Sequence, residues 1–85
     1  MNIIDKLSIL PAELTVNEQT GRLQITKFKD EPDFINYWSV AYNGENNFPI
    51  QASDGSCFMY LVSCTEGFEN AIDEIIEKLR ECKLI

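Results

Sequence analysis

Side chains able to do covalent chemistry are scarce in this sequence, and histidine is missing altogether. A serine or cysteine nucleophile needs a neighbouring base, most often histidine. The chain holds three cysteines, Cys57, Cys64 and Cys82. They sit in apolar surroundings, where a thiol's pKa rises and its reactivity falls. Metal chemistry lacks its ligands too: there is no His, no Cys-x-x-Cys and no Asp-x-Asp-x-Asp loop. Asn43-Gly44-Glu45-Asn46-Asn47 is rich in oxygen but poor in carboxylates, and reads as a polar turn. The four glycines, Gly21, Gly44, Gly55 and Gly67, are scattered and build no phosphate cradle. Fourteen acidic residues guarantee chance carboxylate pairs, so none of them specifies hydrolysis. The expectation is a protein that is not an enzyme and that needs no cofactor and no metal.

Two patterns suit binding instead. Glu69, Asp73, Glu77 and Glu81 recur every four residues, which lines four carboxylates along one helix face about 6 Å apart. Like charges at that spacing repel by about 0.2–0.5 kcal/mol per pair. Lys78 is placed to offset Glu74, and Arg80 to offset Glu77. Such a ridge is either a solvated face or a docking surface for a basic partner. The second pattern is aromatic. Phe34, Trp38, Val40 and Tyr42 alternate with Ile35 and Tyr37, and Cys57, Met59 and Leu61 alternate with Phe58, Tyr60 and Val62. If both segments are strands, both faces of the sheet are apolar. One helix then covers one face, and the other needs the N-terminal segment, a second copy or a foreign protein. Tyr37 and Tyr60 are the expected anchors on it, because a phenol tolerates partial exposure. The predicted partner-binding residues are therefore Glu69, Asp73, Glu77, Glu81, Tyr37 and Tyr60.

The elements that must position these residues can be read from periodicity. Ile3, Ile4, Leu7 and Leu10 have helical spacing and predict a short helix over residues 2–10, ended by Pro11. Residues 12–17 alternate as a strand, and so do residues 22–29, with Leu23 and Ile25 on one face. Asn17 to Gly21 between them reads as a five-residue hairpin loop, with Gly21 at positive φ. Asp30 to Asp33 is a polar break that contains Pro32. Residues 34–42 read as a strand rich in aromatic and β-branched side chains. Asn43-Gly44 and Asp54-Gly55 are turn signals that bracket a short edge strand over residues 48–52. Residues 57–63 are apolar at nearly every position and predict a strand buried on both faces. Phe68, Ala71, Ile72, Ile75, Ile76, Leu79 and Cys82 form one stripe of a helix over residues 66–82, with Thr65 as N-cap. The fold class is α+β: an antiparallel four- to five-stranded sheet with the C-terminal amphipathic helix packed on one face and a short N-terminal helix.

Length and composition set the outer bounds. The 85 residues hold one small domain, residues 1–85, and 45% hydrophobic content with one Trp, three Tyr and five Phe is enough for a single core. Three unpaired cysteines are not a disulfide framework, and the N-terminus carries no secretory pattern. The longest apolar run, Cys57 to Val62, falls far short of the roughly 20 residues that span a bilayer. The chain therefore reads as cytoplasmic and soluble, without membrane contact. Fourteen acids against seven bases give a net charge of −7, which argues against direct nucleic-acid binding and for a basic protein partner. In size, charge and class the chain is similar to phage-encoded anti-defence inhibitors and to immunity proteins that neutralise nuclease toxins; no motif carries that likeness. The functional expectation is a non-catalytic acidic protein-binding module, an inhibitor that occupies a basic, nucleic-acid-handling surface of its partner. The alternative is a structural or regulatory homo-oligomer such as a homodimer, or an immunity protein.

Overall fold

The computed structural model describes residues 2–29, 32–53 and 58–85. The sequence-predicted turn at Asp54-Gly55, the first residues of the polar break at Asp30-Glu31, and Cys57 lie outside the described residues.

Asn2 opens the first helix, α1 (Ile3–Ile9), by accepting from the Asp5 amide at 2.9 Å through Oδ1. The helix stops at Leu10, and Pro11 leads into β1 (Glu13–Val16). β1 pairs antiparallel with β2 (Gln19–Lys27) through a two-residue turn, Val16 facing Gln19. Both turn residues have positive φ, Asn17 at 51° and Glu18 at 69°. That is the signature of a type I′ turn, whose twist matches that of the flanking strands. The expected five-residue loop is thus too long, and Gly21 is a strand residue. It pairs with Leu14 and lies under Ile50, where a Cβ would come within 3.0 Å of Ile50 Cδ1 and 3.1 Å of the Tyr42 carbonyl carbon. The glycine is required there by close packing across strands rather than by a turn.

Pro32–Phe34 form a single 3-10 turn. The predicted strand over 34–42 therefore starts later, as β3 (Tyr37–Asn43). It takes the centre of the main sheet, whose order is β1-β2-β3-β6, every pair antiparallel. The expected strand over 57–63 is divided into β5 (Phe58–Tyr60) and β6 (Val62–Glu66), with a bend at the fully buried Leu61. β5 pairs with β4 (Gln51–Ser53) as a separate two-stranded ribbon. Three backbone bonds join ribbon and sheet in a ring. Tyr42 N–H donates to Leu61 O (3.0 Å), Leu61 N–H to Ile50 O (2.9 Å), and Ile50 N–H to Tyr42 O (2.8 Å). The bend therefore leaves all three residues paired, as buried backbone requires.

The second helix, α2 (Phe68–Glu81), lies across β3 and β6 and buries Ala71, Ile72, Ile75, Ile76 and Leu79. Thr65 does not cap it, because that residue belongs to β6; Gly67 takes the cap position at φ 89° with no side-chain cap bond. The helix ends in a Schellman arrangement. Leu84 N–H donates to Leu79 O at 2.8 Å and Lys83 N–H to Arg80 O at 3.0 Å, with Lys83 at φ 59°. Ser63, buried in the sheet face below, satisfies its hydroxyl on Ala71 O at 2.7 Å.

The cross-strand register sorts the sheet into two unlike faces. Leu23, Trp38, Val40, Tyr42 and Ser63 point toward α2, with Ile50, Ala52 and Leu61 completing the core. The other face carries Thr15, Thr20, Gln24, Thr26, Ser39, Asn43 and Cys64, with Tyr37, Ala41 and Val62 among them. The expectation of two apolar faces is overturned: the open face of the main sheet is mostly small and polar. The N-terminal helix does not cover it. Ile3, Leu7 and Leu10 of that segment join the core on the α2 side.

Candidate partner-binding surface

The acidic ridge of α2 is only half free. Lys6 reaches from α1 to Asp73 at 2.8 Å and lies 3.8 Å from Glu69. A side-chain hydrogen bond to Asp73, together with the two nearby carboxylates, holds the ammonium pKa above its ordinary value. Two of the four carboxylates thus serve to hold α1 beside α2. Glu77 and Glu81 remain exposed and pair with no cation among the described residues. Lys78 does not relieve the ridge as expected. Its ammonium crosses to the carbonyl oxygen of Val62 and covers part of the outer edge of β6.

Tyr37 and Tyr60 lie at opposite ends of the sheet and form no common surface. Tyr37 starts β3 opposite Glu66, and its ring meets Phe34 edge-on at 4.9 Å; Phe34 also touches Phe28 at 6.3 Å. Tyr60 ends β5 opposite Gln51, at the far side of the three-residue junction. Phe58 points the same way, and the two are 71% and 53% exposed; Phe48, in the loop before β4, is 65% exposed. The most exposed aromatic side chains therefore lie on the ribbon and its loop, with Phe34 exposed at the other end. Alternation along 57–63 divides the side chains correctly, Met59 and Leu61 inward against Phe58 and Tyr60 outward. The bend takes the outward set clear of any covering layer.

Sequence reasoning missed a cleft at this end of the molecule. The β1–β2 turn and the loop between β3 and β4 form its banks, Ile50 and Gln51 its floor, and Phe48 and Tyr60 its apolar wall, enclosing about 760 Å³. Glu18 stands on one bank and Glu45 on the other, and no lining residue is cationic. The floor is braced by Gln51 N–H donating to Gln19 Oε1 at 3.4 Å. Two internal bonds close the far bank, Gly44 N–H to Phe48 O at 2.8 Å and Phe48 N–H to Asn46 Oδ1 at 3.1 Å. A second hollow of about 300 Å³ adjoins it across Thr20, Gly44 and Glu45. Arg22 lines that hollow but is paired with Glu13 at 3.3 Å. Asn43 Oδ1, in the same wall, is the one buried side-chain acceptor without a donor among the described residues. The one sequence signal that could have pointed here is Glu18. A left-handed turn position favours glycine, and a glutamate held at positive φ costs about 1 kcal/mol.

Cys64 is exposed on the open sheet face, contrary to the expected buried thiol; Cys64 and Cys82 form no disulfide. Among the described residues no group of His, Cys, Asp and Glu could hold a metal ion, and no helix is long and apolar enough to cross a membrane. No protein-family model, curated protein or solved structure matches the chain.

Proposed function

We propose that this protein is a non-catalytic binding module that docks on a basic surface of a partner protein. An inhibitor of a nucleic-acid-handling system is the use that best fits such a docking mode. The observation that carries this reading is where four of its seven positive charges go; Lys29, Arg80 and Lys83 stay exposed without a carboxylate partner among the described residues. Lys6 is tied to Asp73 and Glu69, and Arg22 to Glu13. Lys27 and Lys78 donate to the main-chain oxygens of Ile35 and Val62. Meanwhile Glu18, Glu45, Glu74, Glu77 and Glu81 have no cationic partner. With four of seven cations bound within the chain and fourteen acids to balance, the outward field is negative, which steers a basic partner and repels nucleic acid.

The test is capture of a partner at low salt, repeated across ionic strength. Binding should weaken steeply with salt and fall further with Glu77→Lys and Glu81→Lys or with Glu18→Lys and Glu45→Lys. Capture that salt and charge reversal leave unchanged would sink the reading. The exposed Phe48, Phe58 and Tyr60 favour one alternative, self-association through the ribbon. That alternative predicts a salt-insensitive dimer in light scattering, which Tyr60→Glu dissociates and Tyr37→Glu, at the other end of the sheet, does not.

A further inference from the structure

We infer that the cleft between the β1–β2 turn and the β3–β4 loop is an arginine-anchoring site for an extended basic segment of a partner protein. The inference rests on the reading of the protein as a module for basic partners, and it names the place and the side chain. Two independent features converge there. Glu18 and Glu45 line the cleft from opposite banks, both without a cation among the described residues, so a positive group bound there sits near two uncompensated carboxylates. Phe48 and Tyr60 present broad exposed rings in the same cleft, and neither stacks on another aromatic residue.

This combination selects guanidinium over ammonium. A planar guanidinium stacks on an aromatic face while its five donors fan out to carboxylates on either side; an ammonium is a compact, strongly hydrated point charge. The adjoining hollow explains why the ligand is a segment rather than a single side chain. It continues the track past Thr20 and Gly44 onto the polar open face, where Asn43 Nδ2 donates to Gln24 Oε1 at 2.7 Å and the Gln24 amide nitrogen is left to donate to a peptide carbonyl. The α2 ridge competes poorly for the same ligand, since Lys6 already answers Asp73 and Glu69 and no aromatic ring lies in that row.

Glu18 supplies the decisive test because its backbone and its side chain have opposite interests. At φ 69° a glycine would relieve the turn, so Glu18→Gly should raise Tm by a few degrees. The same change removes one charge-assisted contact and should weaken binding about tenfold. The probes are two blocked pentapeptides that alternate glycine with arginine or glycine with lysine, titrated at low salt into isotopically labelled full-length protein and followed by amide NMR. Shifts should concentrate at residues 18–20, 44–46, 48–51 and 60, and the arginine peptide should bind several-fold more tightly than the lysine peptide. Glu45→Gln, which leaves the β1–β2 turn untouched, should weaken the arginine peptide without moving Tm. Shifts centred on Glu74, Glu77 and Glu81 with a silent cleft would overturn the site and leave the general reading standing. So would equal affinity for the two peptides, or failure of both to bind while a basic protein is still captured. Cleft shifts that appear on concentrating the protein alone would make a second copy the occupant and overturn the foreign segment.

Discussion

At the scale of single residues, two side chains show how closely the core constrains the surface. Gly21 lets Ile50 rest directly on β2, so the residue that floors the cleft is held by an absent Cβ. Gly21→Ala forces Ile50 or the Tyr42 backbone to move, and overpacking of this kind costs about 1–3 kcal/mol; urea denaturation should show it as a lower midpoint at unchanged slope. Tyr42 is the second. Its ring is buried in the core and its hydroxyl donates to Pro11 O at 2.6 Å, tying β3 to the chain between α1 and β1. Burial pushes its phenol pKa up to about 12. The phenol is neutral when protonated, so the folded state keeps a proton that the unfolded chain loses from about pH 10 upward. Its stabilisation is complete below pH 10 and falls as pH rises toward 12, by about 2–3 kcal/mol. The raised Lys6 pKa acts in the same direction, its contribution being lost as pH rises above the ordinary lysine pKa. Tyr42→Phe should cost about 1 kcal/mol at neutral pH by leaving the Pro11 carbonyl without its donor. It should also make thermal stability less sensitive to pH across that window.

At the scale of elements, α2 is fixed by its buried stripe and α1 is fixed by α2. Leu79 is fully buried near the helix C-terminus, so Leu79→Ala should destabilise by about 2–5 kcal/mol in denaturant titration. α1 has seven residues and none of them is fully buried, which is too short to hold its own helical structure. Its anchors are Leu7, the following Leu10 and the Lys6 bridge. Asp73→Asn should speed amide hydrogen exchange throughout α1 while leaving α2 protected, and added salt should do the same more weakly. If exchange in α1 is unaffected by the substitution, the bridge is a bystander and the apolar contacts alone hold the helix. The bend at Leu61 has the largest consequence for function, because it diverts one continuous apolar run into two strands with different partners.

At the scale of the molecule, surface charge and aromatic exposure separate into distinct regions. The α2 ridge carries acids without rings, the Phe28, Phe34 and Tyr37 cluster carries rings at the other end of β3, and the ribbon end carries both together. A partner with a basic segment therefore finds attraction and desolvated contact together in the cleft, and affinity there should depend on both. Phe48→Ser and Tyr60→Ser should each lower the affinity for such a partner with little change in its salt dependence. Glu18→Gln and Glu45→Gln should lower the affinity and flatten the salt dependence together, as measured by calorimetry at two ionic strengths.

Periodicity alone determined the type of nearly every element. The stripe from Phe68 to Cys82 specifies α2 and the alternation through residues 37–42 specifies a strand, because both patterns repeat with local backbone geometry; with apolar side chains on both sides of that strand, only packing decided that Trp38, Val40 and Tyr42 enter the core. The acidic row from Glu69 to Glu81 was equally legible as a row. That Lys6 answers half of it depends on where α1 packs, and contacts between residues so far apart in sequence follow no local period. The same limit hid the shortness of the β1–β2 turn, the true role of Gly21 and the bend at Leu61. Each is set by register or by cross-strand packing, which the tertiary structure chooses from pairings that local sequence leaves equivalent. The cleft is the extreme case. It draws Glu18, Glu45, Phe48 and Tyr60 from three separate segments, and only the ring of hydrogen bonds joining Tyr42, Ile50 and Leu61 brings those segments to one end of the molecule.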